Sequence, residues 1–461
     1  MANSFWESVY SNKEQRGFLT LLKEVEGRQE ITFKEAFAVW VRIGLLSFGG
    51  PAGQIALMHR TIVDEKKWLD ESRFLHALNY CMLLPGPEAQ QLATYIGWLL
   101  HGVRGGLVAG LLFILPGALA IFVLSWIYVV YGDLAITEGV FFGLKAAVLA
   151  IVLQALIRIG RRTLQGILKP ALAVGGFVAL FVFSLPFPLV VLSAGIIGYL
   201  VARWSAPDAS RQPRPDAFTE TTLRPGTQQA ALCCLLLWGL TVAALFMVLG
   251  DESVFTQIAV FFSKMATVTF GGAYAVLSYV AQQGVETFQW LEPGEMLEGL
   301  GLAETTPGPL ILVTQFVGFL AAYRDGAGEP SLLMASAGAL LTTWVTFLPC
   351  FLWIFAGAPY VEKLRNNHGL SSALSAITAV VVGVIANLAL WFAVNAVFGE
   401  HQRFTTGWGI NMQLPVLDSI NAPMMTLAVI AMVCAFRLKM AMLPLLGTCA
   451  TLGVLWVFWT Q

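Results

Sequence analysis

The sequence predicts an all-α polytopic membrane protein built from two copies of one repeat. Three observations carry this. Apolar residues make up 57% of the chain and charged residues 12%, against about 25% charged in soluble domains. The apolar residues gather into about thirteen segments of helical length, with no alternating pattern that would support a sheet. A set of helix-breaking motifs recurs at one offset: Phe270-Gly271-Gly272 follows Phe48-Gly49-Gly50 by 222 positions (270 minus 48). Trp290-Leu291-Glu292 follows Trp68-Leu69-Asp70, Pro307-Gly308-Pro309 follows Pro85-Gly86-Pro87, and Lys264 stands where Arg42 stands, all at that offset. Duplication in a membrane chain is the signature of many transporters.

The chain divides into an N-terminal arm (1–35), a first repeat (36–203), a linker (204–228) and a second repeat with extra helices (229–461). The arm is polar, mixed in charge and unlike a secretory signal, so it reads as cytosolic. Segment 37–58 is broken at Gly49-Gly50, and segment 74–100 at Pro85-Gly86-Pro87. Glycine weakens a helix interior and proline removes a donor while clashing with the preceding turn. Segments 107–131, 140–157, 171–185 and 189–201 complete the first repeat. The linker is rich in Arg, Pro, Ser and Asp. Segments 230–249, 254–280 (broken at Gly271-Gly272), 296–322 (broken at Pro307-Gly308-Pro309), 332–355, 373–397, 424–436 and 440–459 follow.

Loop charges orient the repeats. Positions 59–73 carry Arg60, Lys66, Lys67 and Arg73, whereas their counterparts at 281–298 carry no Lys or Arg. The first loop therefore reads as cytosolic and the second as external, and the halves as inverted-topology repeats. The arm, with Lys13, Arg16, Lys23, Arg28 and Lys34, shares the side of the 59–73 loop, and so does Arg104. Both broken segments of each repeat then read as re-entrant hairpins: four segments re-enter, nine cross, and the C-terminus lies outside; the alternative is thirteen ordinary spans, which breaks the charge rule at one loop in each half.

The breaks are the candidate site. Unwound backbone in a bilayer costs several kcal/mol per unsatisfied group unless it lies within protein or lines a wet cavity. Half-helix N-termini carry about +0.5 charge each and bind anions, so four of them suit a dianion; the alternative is that the Gly and Pro only permit tight helix packing. Arg42 and Lys264, each six residues before its Phe-Gly-Gly, are candidate intramembrane cations, with snorkelling to an interface as the alternative. Lys145 is a third cation, but its second-half counterpart is apolar. Glu88 follows the first Pro-Gly-Pro and Glu304 precedes the second. A buried carboxyl group favours its neutral form, so each is a proton-coupling candidate, or equally a helix cap. Gln90, Gln91, Thr94, Thr305, Thr306, Gln315 and Asn387 are neutral hydrogen-bonding groups. The six cysteines and five histidines show no ligand spacing, so neither metal nor cofactor is expected. No nucleophile triad or phosphate loop appears, which argues against an enzyme or a nucleotide-driven pump, and a net charge of −1 gives no sign of nucleic-acid binding.

These motifs carry a family resemblance. Phe48-Gly49-Gly50-Pro51, Trp68-Leu69, Leu84-Pro85-Gly86-Pro87 with Glu88, Ala89, Gln90 and Gln91, Phe270-Gly271-Gly272 and Thr306-Pro307-Gly308-Pro309 make the chain similar to the chromate ion transporter family, in its long two-domain form, from about position 33 to 395. The resemblance implies an exporter of chromate in a bacterial inner membrane, conferring chromate resistance, with sulfate as the near look-alike. A substrate site drawn from both readings contains Arg42, Phe48, Gly49, Gly50, Pro85, Gly86, Pro87, Gln91, Thr94, Lys264, Gly271, Gly272, Thr306, Pro307, Gly308 and Pro309. Expected partners are chromate, sulfate as competitor and the lipid bilayer, with homodimerisation left open. The alternatives are a sulfate or other oxyanion carrier, or an anion channel. A dianion leaving an inside-negative cell gains about 2.3 kcal/mol per charge per 100 mV, so export can run on the potential, on inward protons, or both.

Overall fold

The computed structural model describes residues 31–132, 134–204, 226–270, 272–325, 330–358, 368–406 and 411–460. Most of the arm and the linker therefore lie outside the described residues. The first repeat contains α1 (Phe33–Leu46), α2 (Gly50–His59), α3 (Glu71–Cys81), α4 (Glu88–Tyr131), α5 (Ala135–Thr163), α6 (Leu168–Phe181) and α7 (Phe187–Trp204). The second contains α8 (Thr227–Leu249), α9 (Val254–Val268), α10 (Ala273–Ala281), α11 (Pro293–Thr305), α12 (Val313–Arg324), α13 (Leu332–Gly357), α14 (His368–Val397), α15 (Ala422–Met432) and α16 (Met442–Thr460). Seven described helices are long and apolar enough to cross a membrane, carrying seven of the nine expected crossing segments. The other two, 171–185 and 424–436, form shorter apolar helices.

Matched sequence produces matched local structure. Asp70 caps α3 by accepting from the Arg73 amide at 2.8 Å, and Glu292, 222 positions on, caps α11 through a capping box with Glu295. α2 runs into a π-helical turn at Arg60–Glu65, and α10 into one at Gln282–Thr287. Each ends in a left-handed residue, Lys67 (φ 54°) and Gln289 (φ 54°). The Trp68 amide then donates to Ile62 and the Trp290 amide to Gly284. The repeats thus match down to backbone irregularities.

The broken segments double back. Lys66 pairs with Glu35 at 2.7 Å and Arg42 with Glu65 at 3.4 Å, so the two ends of α1–α2 lie together and the Gly-Gly break is the tip. α4 is two arms. His101 (φ −131°) and Gly102 (φ 63°, ψ −154°) leave helical geometry, and only glycine takes the latter conformation readily. Beyond them the chain reverses: Gly97 lies against Gly105 and Ala109, and Gly106 and Gly110 lie against Thr94. The mouths of the first hairpins sit at the start of the long arm, where His101 meets Ile31 and Phe33. The mouths of the second sit at its end, where Tyr128 meets Glu295 and Glu298. The long arm, of 29 residues (103–131), spans about 43 Å at 1.5 Å per residue.

Beyond the hairpins the repeats exchange helices. α6 and α7 pack along α14, and α15 and α16 along α5. Small residues permit this: Gly383 meets Ala173 and Phe177, Gly198 meets Ser372 and Ala376, and Gly139 and Gly143 meet Gly453 and Cys449. One element is unexpected, an antiparallel hairpin of β1 (His401–Thr405) and β2 (Asn411–Pro415), with His401 opposite Pro415. Its sequence signal is the alternation Ile410-Asn411-Met412-Gln413-Leu414 that follows Gly407 and Gly409.

Candidate functional site

Each tip touches the tip of the other repeat. The Gly308 amide donates to the Ser47 carbonyl at 2.8 Å, and the Gly86 amide donates to the Thr269 carbonyl at 2.9 Å. Ser47 and Thr269 are themselves 222 apart, as are Gly86 and Gly308. The Pro-Gly-Pro break of each repeat therefore crosses the Phe-Gly-Gly break of the other in the same way. Gly86 (φ 119°) and Gly308 (φ 94°) need left-handed backbone to present that amide, and Gly49 (φ 91°), Gly50 (φ 68°) and Gly272 (φ 104°) need it to restart the chain.

Side chains finish the crossings. Ser47 and Thr269, 0% and 1% exposed, turn their hydroxyls back onto the carbonyls of Ile43 and Met265, freeing their own carbonyls for the glycine amides. At one crossing the buried Gln54 amide donates to Gly308 at 2.6 Å and to Ser47 at 3.3 Å. At the other, Gln91 donates to the Pro85 carbonyl at 2.7 Å. α2, α4 and α10 all begin at these breaks without a side-chain cap, as does the short turn Leu310–Leu312 that leads into α12. Four helix starts, each with unpaired amides and a positive dipole end, leave the paired crossings.

The carboxylates flank them. Glu88 is the first residue of α4. Glu304, 2% exposed, accepts from the Tyr274 hydroxyl at 2.7 Å, which ties the helix leaving one crossing to the helix entering the other.

Of the sequence-derived site residues, the structure brings Gly49, Gly50, Pro85, Gly86, Pro87, Gln91, Gly272, Pro307, Gly308 and Pro309 to the breaks. Gly271 lies outside the described residues. Phe48 is half-buried at its tip, and Thr306 spends its hydroxyl on the Ala303 carbonyl. Thr94 bonds to Gln90 and sits between the arms of α4 rather than at a break. Arg42 and Lys264 are not brought there. Arg42 is exposed on its hairpin beside Glu65. Lys264 lines a separate cavity of 230 Å³ with Asp251, Gln257 and Gln283. Ser47, Thr269, Gln54 and Tyr274 are additions from the structure. The first two were legible as a hydroxyl repeated before Phe-Gly-Gly. Gln54 and Tyr274 have Val276 and Ala52 as counterparts, so the repeat gives no sign of them. Among the described residues no cluster of metal-ligating side chains occurs.

Comparison with known proteins adds an independent line. No solved structure matches the chain. The chain is 31% identical over 377 residues to a chromate transport protein of Pseudomonas aeruginosa, covering 77% of this chain and 80% of that one. It is 28% identical over 391 residues to a chromate transport protein of Cupriavidus metallidurans, with coverage of 83% and 88%. A probable chromate transport protein of Synechococcus elongatus is 29% identical over 357 residues, with coverage of 77% and 83%. The family model described as Chromate transporter matches twice, at residues 34–199 and 256–454, and each match holds one set of breaks. The chain therefore belongs to the chromate transporter family, in a form where the family's unit occurs twice along a single polypeptide.

Proposed function

We propose that the protein is a secondary transporter that exports chromate across a bacterial inner membrane, with repeats at 36–203 and 229–461 related by inversion and the N-terminus in the cytoplasm. The reciprocal crossing of the breaks is the observation that carries this reading. Four helix starts with backbone donors face a dianion without a fixed cation there, which suits a cargo that must be bound and then released. The hairpin mouths at opposite ends of the long arm of α4 support inversion, because each repeat then opens toward its own side. The relatives named as chromate transport proteins support the choice of cargo. Glu304 is the proton carrier: it is buried, belongs to the break, and is held by Tyr274.

The test is chromate uptake into inverted membrane vesicles, with sulfate as competitor, driven separately by potential and by a pH gradient. Wild-type vesicles are expected to accumulate chromate saturably under either force. Glu304→Gln keeps an acceptor for Tyr274 but has no proton to exchange. It is expected to retain potential-driven uptake and lose the response to pH. Sulfate moving in place of chromate overturns the cargo, and unsaturable flux makes the protein a channel. An intact pH response in Glu304→Gln removes that residue from coupling.

A further inference from the structure

One charged cluster lies apart from the breaks, at the mouth of the second repeat. Lys145 of α5 pairs with Glu298 of α11 at 2.6 Å, their side chains 23% and 12% exposed. Arg324, the last residue of α12, holds Glu295 with two guanidinium nitrogens, one at 2.9 Å, and donates to the Trp290 carbonyl at 2.9 Å. The Tyr128 hydroxyl reaches Glu298 at 2.6 Å and Glu295 at 3.3 Å. These side chains line a cavity of 340 Å³ together with Glu138, room for a tetrahedral oxyanion and attendant water.

Three positive elements converge there against three carboxylates, Glu138, Glu295 and Glu298, of which Glu295 also accepts from the Glu292 amide at 2.7 Å. Lys145 lies about 15 Å along α5 from its start at 1.5 Å per residue, an expensive place for a cation. Arg324 supplies a planar fork suited to oxyanions. α11 begins at Pro293, and a Cβ on Gly294 would sit 3.3 Å from the Lys145 ammonium, so glycine admits the cation to the first turn of that helix. Glu295 and Glu298 now occupy the positions opposite these charges. The first repeat has Arg73 and His76 at the matching places, and the carboxylates of its ion pairs Arg42–Glu65 and Lys66–Glu35 are 39% and 45% exposed against 15% and 12% for Glu295 and Glu298. The device therefore belongs to one side only.

We propose that this cavity is a second anion station, on the exit side, in which a tetrahedral dianion displaces Glu295 and Glu298 from Arg324 and Lys145. The resident carboxylates act as built-in competitors: they hold the cations in place, and they lower the affinity so that the anion leaves. The proposal rests on the reading of the chain as a dianion carrier, and its test is a binding measurement so that the two can fail separately.

Sulfate and chromate binding to the purified full-length protein would be followed by calorimetry or by thermal stabilisation, with chloride as control. Glu298→Gln is expected to bind sulfate about tenfold more tightly, the worth of one charge-assisted bond, because Lys145 loses its competitor. The double variant Lys145→Gln, Glu298→Gln removes both partners of the pair together, the change a buried pair tolerates best. It is expected to bind about tenfold more weakly than Glu298→Gln, and Lys145→Arg to rescue it. If the single and double variants bind sulfate as the wild type does, the cluster is only a latch between helices and the proposal falls. If wild-type vesicles move no chromate yet sulfate binding follows Lys145 and Glu298 as described, the proposed function falls and the station stands.

Discussion

Among the described residues Gln54 is the one side chain that bonds to both repeats at a crossing, and it has only Val276 opposite it in the duplication. Replacing it with leucine leaves the buried Gly308 carbonyl short of a donor, at about 1–3 kcal/mol. Gly308→Ala forces an L-residue to φ 94°, at roughly 1–2 kcal/mol. Both variants are expected to lower the melting temperature in detergent, and Gly308→Ala to abolish chromate uptake because the crossing amide turns away. Uptake at wild-type rate in Gly308→Ala would detach the crossing from transport. At this scale the sequence was half legible. Glycine and proline announce a broken helix by their own chemistry, and repetition marked which breaks mattered. Arg42 and Lys264 misled because proximity along the chain was read as proximity in space. Five residues separate Arg42 from Ser47, nearly one and a half helical turns, and that rotation carries the guanidinium to Glu65.

Among the elements, the hairpins were legible and the π-helical turns were not. Lysine and arginine on both the N-terminal arm and the 59–73 loop put the two ends of α1–α2 on one side, and the Glu35–Lys66 pair joins those ends. No residue pattern distinguishes a π turn from an α turn in apolar sequence, so Arg60–Glu65 and Gln282–Thr287 could not be foreseen. Single cysteines at Glu35, Lys66 and Gln289, in a background lacking Cys233, test the arrangement. The first two are expected to react with an impermeant thiol reagent from the cytoplasmic side and the third only from outside. Labelling of Glu35→Cys and Lys66→Cys from opposite sides would make α1–α2 a crossing span.

For the whole molecule, the exchange of helices makes the repeats interdependent. α5 is covered by α15 and α16, and α14 by α6 and α7, so neither repeat buries its own long helix. Residues 1–215 and 216–461 are expected to co-purify when expressed together and to be degraded when expressed alone. Independent accumulation of either half would show that the exchanged contacts are dispensable. None of this was legible in the sequence. Hydropathy fixes that a helix is apolar but not which apolar neighbour it takes, and the choice lies in matching glycines on different repeats, such as Gly143 with Gly453 and Gly383 with Ala173.

That exchange also sets a timetable for biosynthesis. α5 ends at Thr163, and the helix that covers it most fully ends at Thr460, roughly 300 residues later. At about 5–20 residues per second, the ribosome needs on the order of 15–60 s to supply the cover. For the first 135 residues of that interval (298 minus 163) Lys145 lacks Glu298 as well as a finished partner helix, and the half-made chain offers a charged, uncovered span to the insertion machinery and to membrane proteases.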